Sequence, residues 1–267
     1  FNMGMAGAAL ATIIGQAASA IWVLNYFLFG KSLLKIKRKN LKLKWDIVTN
    51  IISLGSAQFF TQIAGSVIIL IINRSLALYG GDLAISAYAI IHSMTIFLVM
   101  PLFGINQGAQ PIIGYNFGAK KYDRVKSTLK LAIISATAIV ILGFIVVMIF
   151  PQLIVSMFSE GNEELTKVTI TGLRIFLCML PVIGFQIISS NYFQATGKPR
   201  HALFLSLSRQ VIILIPAILI LPKFFGLIGV WAAGPTADFI SCGLTGTFLI
   251  KDVKLLNQKS LEFKNEL

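Results

Sequence analysis

Along the chain, long apolar stretches alternate with short polar ones. Seven apolar runs stand out, at 5–29, 48–72, 83–113, 128–150, 168–192, 203–221 and 227–250. Each reaches or approaches the roughly 20 residues that a helix needs to cross a bilayer. None shows the apolar/polar alternation over about 10 residues that a membrane barrel strand requires. The pattern therefore predicts an all-α fold, a polytopic membrane helix bundle of about seven transmembrane helices. The third run is longer than a minimal span. Its second half holds Pro101, Gly104, Gly108, Pro111 and Gly114, which predict a bend or a partly unwound end. Irregular backbone survives at membrane depth only where it is buried in protein or lines a wet cavity, so this region is a functional candidate.

The polar stretches carry a charge pattern. Between the first two runs lie Lys31, Lys35, Lys37, Arg38, Lys39, Lys42 and Lys44 against the single Asp46. The next connection has Arg74 and Asp82, and the one after it Lys120, Lys121, Arg124, Lys126 and Lys130 against Asp123. Glu160, Glu163, Glu164 and Lys167 follow the fourth run, Lys198, Arg200 and Arg209 the fifth, and Lys223 alone the sixth. A tail from Lys251 adds Lys254, Lys259 and Lys264. Basic and basic-poor connections alternate without exception. By the positive-inside rule the first residue is expected outside, and the segment 31–46, the connections at 117–130 and 197–202 and the carboxyl-terminal tail 251–267 in the cytoplasm. Segment 31–46 reads as a basic cytoplasmic linker. Its interleaved leucines would also let it lie on an anionic membrane surface.

Composition agrees and removes one alternative. The 267 residues are 56% hydrophobic and 12% charged, with a mean hydropathy of +0.83, against about 25% charged in soluble domains. The formal +13 would suggest nucleic acid in a soluble protein. Here the basic residues are explained by loop orientation, and no nucleic-acid partner is expected. Cys178 and Cys242 both fall inside apolar runs, where a thiol acts as a small hydrophobe. The opening FNMGMAGAALATIIGQ lacks both an initiator Met and the form of a secretory signal. It is expected to be the start of a span in the downstream part of a longer protein.

Polar groups inside apolar runs are costly and therefore informative. Gln58 and Gln62 share one helix face, as do Tyr88 and His92, and two polar faces on consecutive helices can line a common cavity. Gln186 adds a third polar position. His92 reads either as a proton relay or as a hydrogen-bonded packing residue. Asp238, the carboxylate well inside an apolar run, reads either as a cation or proton site or as a charge partner near a helix kink. Arg174 is one partner it can reach. Gln58, Gln62, Tyr88, His92 and Gln186 are thus candidate substrate-binding residues, and Asp238 is a candidate for cation coupling. No catalytic residue, metal site or cofactor is expected. The chain lacks HExxH, nucleophile-elbow and phosphate-loop motifs, paired intramembrane carboxylates and a Cys cluster.

Two further stretches go beyond composition. The run PLFGINQGAQPIIGYNFGAKKYDRV, Pro101 to Val125, resembles the end of the second helix of a half in multidrug and toxic compound extrusion (MATE) transporters. YFQATGKPR, from Tyr192, and GLIGVWAAGPTADF, from Gly226, resemble that family's tenth-to-eleventh connection and twelfth helix. GMAGAALATIIGQ resembles the start of its sixth helix. The resemblance implies two six-helix bundles joined by a cytoplasmic linker. Residues 1–30 would then be the last helix of a missing amino-terminal bundle, 31–46 the linker, 47–250 the carboxyl-terminal six-helix bundle and 251–267 the tail.

It further implies a secondary active transporter in a bacterial inner membrane, not an enzyme. Such a protein would export cationic or amphipathic drugs or metabolites by alternating access, in exchange for H⁺ or Na⁺. A flippase for a lipid-linked saccharide, from the same superfamily, is the alternative; it would favour a cavity richer in Arg and Lys. The glycines from Gly104 to Gly118 would allow close packing and a turn, and Gly229, Ala232, Ala233 and Gly234 a close helix approach. One departure from the family pattern matters. Many members carry a carboxylate in the seventh and tenth helices, yet runs 48–72 and 168–192 contain none. The coupling carboxylate is accordingly expected in the missing bundle, with this half as cavity wall and moving partner.

Overall fold

The computed structural model describes residues 4–29, 43–159 and 162–265. Most of the basic linker, 30–42, and Glu160 lie outside the described residues, as does the side chain of Gln58. Among the described residues the chain is helical throughout, without strands, and it divides into two compact units, Phe1–Gly55 and Ser56–Leu267.

The first unit contains helix α1 (Gly4–Phe29) and the start of α2 (Trp45–Gly118). Ile13, Ile14, Ile21, Trp22 and Phe29 of α1 are all exposed. A helix that is apolar all round belongs in a lipid environment, and Ala9–Phe29 is long enough to span one.

The second unit is a helical bundle whose chain reversals are set by particular residues. Helix α2 runs over 74 residues, about 110 Å at 1.5 Å per residue, far more than a bilayer's thickness. It reverses at Gly81, where φ is 63° and ψ −162°, a conformation that only glycine adopts cheaply. The two legs are residues 56–80 and 82–118 of this unit. Pro101 and Pro111 sit inside the second leg with helical backbone maintained to Gly118, so the expected unwound end is absent and the break lies at Gly81 instead. A Cβ on Gly104, Gly108 or Gly118 would meet open space, and of the glycines expected to pack there only Gly114 lies close to a neighbour, 3.3 Å from the Ala195 carbonyl oxygen.

Helix α3 (Tyr122–Ile149) buries Val125, Leu129, Ala132, Ala136 and Val140 along one stripe, spaced as the 3.6-residue period requires. Leu131, Ile134, Leu142 and Ile149 point outward, toward the acyl chains of a membrane. After the short α4 (Pro151–Ser156), α5 (Glu163–Phe176) starts at Asn162. The Asn162 side chain caps it by accepting the Leu165 N–H at 3.0 Å.

The expected single span at 168–192 is two helices, α5 and α6 (Leu180–Ala195), bent by 49°. Pro181 explains the break: it has no N–H to continue the ladder and takes the first turn of the new helix. Gly184 of α6 lies against the α3 backbone; an added Cβ would be 2.9 Å from the Thr137 nitrogen. Helix α7 (Pro199–Leu207) passes through a π-helical segment, Ser208–Leu214, into α8 (Ile215–Asn265). That helix reverses at Gly226, with φ 55°. The two legs touch closely, since a Cβ on Gly229 would be 2.4 Å from the Leu221 carbonyl oxygen. The final leg continues past the expected end of its span to Asn265.

Candidate functional site

The site grows from the second leg of α2. Tyr88 and His92 lie one turn apart, with ring centroids 5.6 Å apart. Tyr88 also stacks on Trp231 of α8, at 6.3 Å and 24°, and meets Phe176 of α5 edge-on at 6.0 Å. Two glycines make room for this cluster. A Cβ on Gly172 would be 2.9 Å from the Ile91 side chain and 3.0 Å from the Trp231 ring, and one on Gly234 would be 3.2 Å from the Phe176 ring. The aromatic faces, with Ile68, Ile72 and Asp238, bound a cavity of about 210 Å³.

Asp238 lies on the face of α8 that carries Trp231 and Gly234, one and two turns away. Its side chain is 6% exposed, and its partner is Arg209, whose Nε donates to Oδ1 at 2.6 Å. A buried carboxylate at membrane depth needs such a counter-ion. Arg209 reaches it from the π-helical segment, whose wider turn shifts the register of side chains around the helix. The guanidinium is one third exposed.

That exposed part faces a second cavity of about 370 Å³, lined also by Phe103, Gln186, Ser190, Ser206 and Thr245. Gln186 Nε2 donates to Ser241 Oγ at 2.6 Å. The Thr245 hydroxyl is buried without a partner among the described residues. His92, Thr95, Ile183 and Arg209 line both cavities and so form the wall between them. In the two linings together, Asp238 is the one carboxylate and Arg209 the one guanidinium.

Of the residues singled out from sequence, Tyr88, His92, Gln186 and Asp238 converge on this pair of cavities. Gln62 does not: it is exposed and lines neither, being six residues before Ile68 and therefore about 240° away around the helix. Arg174 is exposed, and Asp238 pairs with Arg209 instead. Sequence reasoning misses Arg209 and Trp231 as site residues. Charge pattern alone assigns Arg209 to the cytoplasmic basic residues, although its position within an apolar run is an available signal. Trp231 carries no signal beyond its size. No group of His, Cys, Asp and Glu among the described residues is arranged to hold a metal ion.

A second buried carboxylate lies further along α8. Asp252 is paired by Lys198 and accepts from the Tyr192 hydroxyl at 2.7 Å. Lys198 is delivered by a left-handed helix end: Gly197 has φ 73°, and the Lys198 N–H returns to the Phe193 carbonyl at 2.8 Å.

The sequence model of the MatE family matches residues 57–219, more than half of the chain. The chain belongs to the MatE family. Its members are secondary transporters rather than enzymes. MatE relatives include the multidrug export protein MepA of Staphylococcus haemolyticus, 28% identical over 95% of this chain and 55% of its own length. MepA of Staphylococcus aureus strain MSSA476 is 29% identical over 86% of this chain and 50% of its own. The chain thus spans about half the length of the curated relatives it matches.

Among solved structures, the MATE multidrug transporter DinF-BH, in a drug-bound form, superposes with a TM-score of 0.82 at 39% identity, over 94% of this chain and 56% of that one. A MATE structure in complex with MaL6 gives 0.86 at 18% identity, over 96% of this chain and 58% of that one. This MatE chain is therefore a multi-pass membrane protein of all-helical fold, and the cavities described above lie within the part that the family shares.

Proposed function

We propose that this chain is the carboxyl-terminal half of a multidrug antiporter, which exports cationic or amphipathic small molecules by alternating access coupled to H⁺ or Na⁺. The observation that carries the reading is the wall between the two cavities: stacked aromatic faces beside a single buried carboxylate, opening onto a larger space lined with hydroxyls and an amide. Aromatic faces and a counter-charge are what a lipophilic cation requires. Tyr88, His92 and Gln186 are the substrate-facing residues on this reading, with Asp238 as the cation-attracting one. The first unit would supply the last helix of a preceding bundle, tethered through the basic segment, in a bacterial cell membrane with the carboxyl terminus in the cytoplasm. The MepA relatives, named as multidrug exporters, and the drug complex of DinF-BH lend it support. A lipid-linked saccharide would call for free basic residues, whereas the one guanidinium here is held by Asp238.

The test is dye export. Cells expressing the complete transporter that contains this chain are expected to accumulate less of a fluorescent cationic dye than cells with an empty vector. Equal accumulation removes the reading. The 267-residue chain alone, reconstituted in liposomes, is expected to give no vectorial transport, because half of the cavity wall is absent.

A further inference from the structure

Arg209 and Asp238 form an ion pair in the wall shared by two cavities of different chemistry. On one side Asp238 joins the faces of Tyr88 and Trp231 in the 210 Å³ cavity. On the other, Arg209 borders the 370 Å³ cavity, with the side chains of Gln186, Ser190, Ser206 and Thr245. The carboxylate is nearly fully buried, whereas the guanidinium is 33% exposed, so the cation is the mobile partner. If it withdraws, oxygen acceptors await it in the larger cavity, among them a Thr245 hydroxyl that has no partner among the described residues. The carboxylate left behind would face two aromatic rings, a setting that favours a weakly hydrated organic cation over water.

We propose that Arg209 is a tethered competitor for the substrate: a lipophilic cation entering the aromatic cavity displaces the guanidinium from Asp238, and Arg209 swings into the larger cavity. This rests on the multidrug-export reading and adds a specificity device to it. Arg209 keeps Asp238 neutralised when the site is empty, and only a cation able to use both the carboxylate and the rings outcompetes it. A neutral molecule of the same shape gains nothing from the exchange. The wide turn at Ser208–Leu214 puts the competing charge on a part of the helix with weaker internal hydrogen bonding, which suits a side chain that must change partners.

The experiment uses the purified complete transporter with tritiated phenyltrimethylammonium, a permanently charged aromatic cation, and its carbon isostere tert-butylbenzene as neutral competitor. Arg209→Gln is expected to bind the cation at least about fivefold more tightly than wild type, and Asp238→Asn at least about fivefold more weakly. In the Asp238→Asn background, adding Arg209→Gln is expected to change binding by less than about twofold, since the competition acts through the carboxylate. Tert-butylbenzene should compete equally poorly in all of them.

Unchanged or weaker cation binding in Arg209→Gln overturns the proposal, as does an equal gain in the Asp238→Asn background, which would make the effect one of space. Should Arg209→Gln fail to fold, Arg209→Ala prepared with ethylguanidinium as replacement counter-ion gives a second route. Ethylguanidinium is then expected to compete with phenyltrimethylammonium, and absence of competition overturns the proposal. Dye export by the wild type separates the two levels. Export with unaltered Arg209→Gln binding removes the competitor alone; no export removes the functional reading beneath it.

Discussion

Helix α8 carries two buried carboxylates, fourteen residues or about 21 Å apart, and each meets a basic residue from the segment between α6 and α8. Their surroundings differ. Asp252 uses both oxygens, one for Lys198 and one for the Tyr192 hydroxyl, and it lines neither cavity. Asp238 receives the Nε of Arg209 on one oxygen and looks into the aromatic cavity. Equal charge and equal burial therefore do not imply equal roles. A carboxylate with both oxygens engaged fixes the ends of three segments to one another. One whose partner sits in a cavity wall can change partners.

The comparison is broken most directly by removing each carboxylate in turn. Asp252→Ala deprives a buried hydroxyl and a half-buried ammonium of their acceptor, and is expected to cost about 2–4 kcal/mol of stability. Chemical or thermal unfolding of the complete transporter in detergent measures it. Asp238→Asn keeps a polar group in place beside a guanidinium that reaches the larger cavity, and should cost less than half as much. A larger loss at Asp238 than at Asp252 would reverse the assignment of roles.

Export should show the opposite order. Asp238→Asn is expected to reduce export of a monocationic dye about five- to tenfold at matched expression. Asp252→Asn should change it less than about twofold once corrected for the amount of folded protein. Initial efflux rates from dye-loaded cells provide the measurement, and comparable losses at both positions would dissolve the distinction.

Much of this is legible in the sequence because bilayer thickness and loop charge constrain it. Seven apolar runs correspond to the stretches of helix separated by the breaks at Gly81 and Gly226 and by the short connections. What pattern reading does not supply is partner choice. Asp238 is visible as an intramembrane carboxylate, but its counter-ion lies 29 residues away across a π-helical segment that composition does not mark. Arg174 and Arg209 look alike in a string of apolar residues; only the fold makes one exposed and the other a bridge. The proline- and glycine-rich end of α2 points to the wrong break. Prolines at 101 and 111 each forgo one hydrogen bond within an otherwise continuous helix, whereas Gly81 alone leaves helical backbone space. Gln62 misleads for a similar reason, because the face it shares with Gln58 says nothing about which neighbour that face meets.

The smallest effect makes the sharpest test of the latch at Asp252. Tyr192 is 1% exposed and packs its ring against Phe193 at 5.3 Å, so Tyr192→Phe removes one oxygen and leaves the packing intact. The lost bond runs to a carboxylate, which makes it stronger than a neutral pair, but Asp252 keeps Lys198. The expected loss is therefore about 1–2 kcal/mol, with dye export per folded molecule unchanged. If export falls while stability holds, Tyr192 is reporting on movement of the α6–α7 connection, and Asp252 belongs with Asp238 among the groups that act during transport. If stability falls and export holds, the two carboxylates of α8 divide the work: Asp252 holds the helix ends in place, and that fixed frame lets the contact at Asp238 open and close without loosening the bundle.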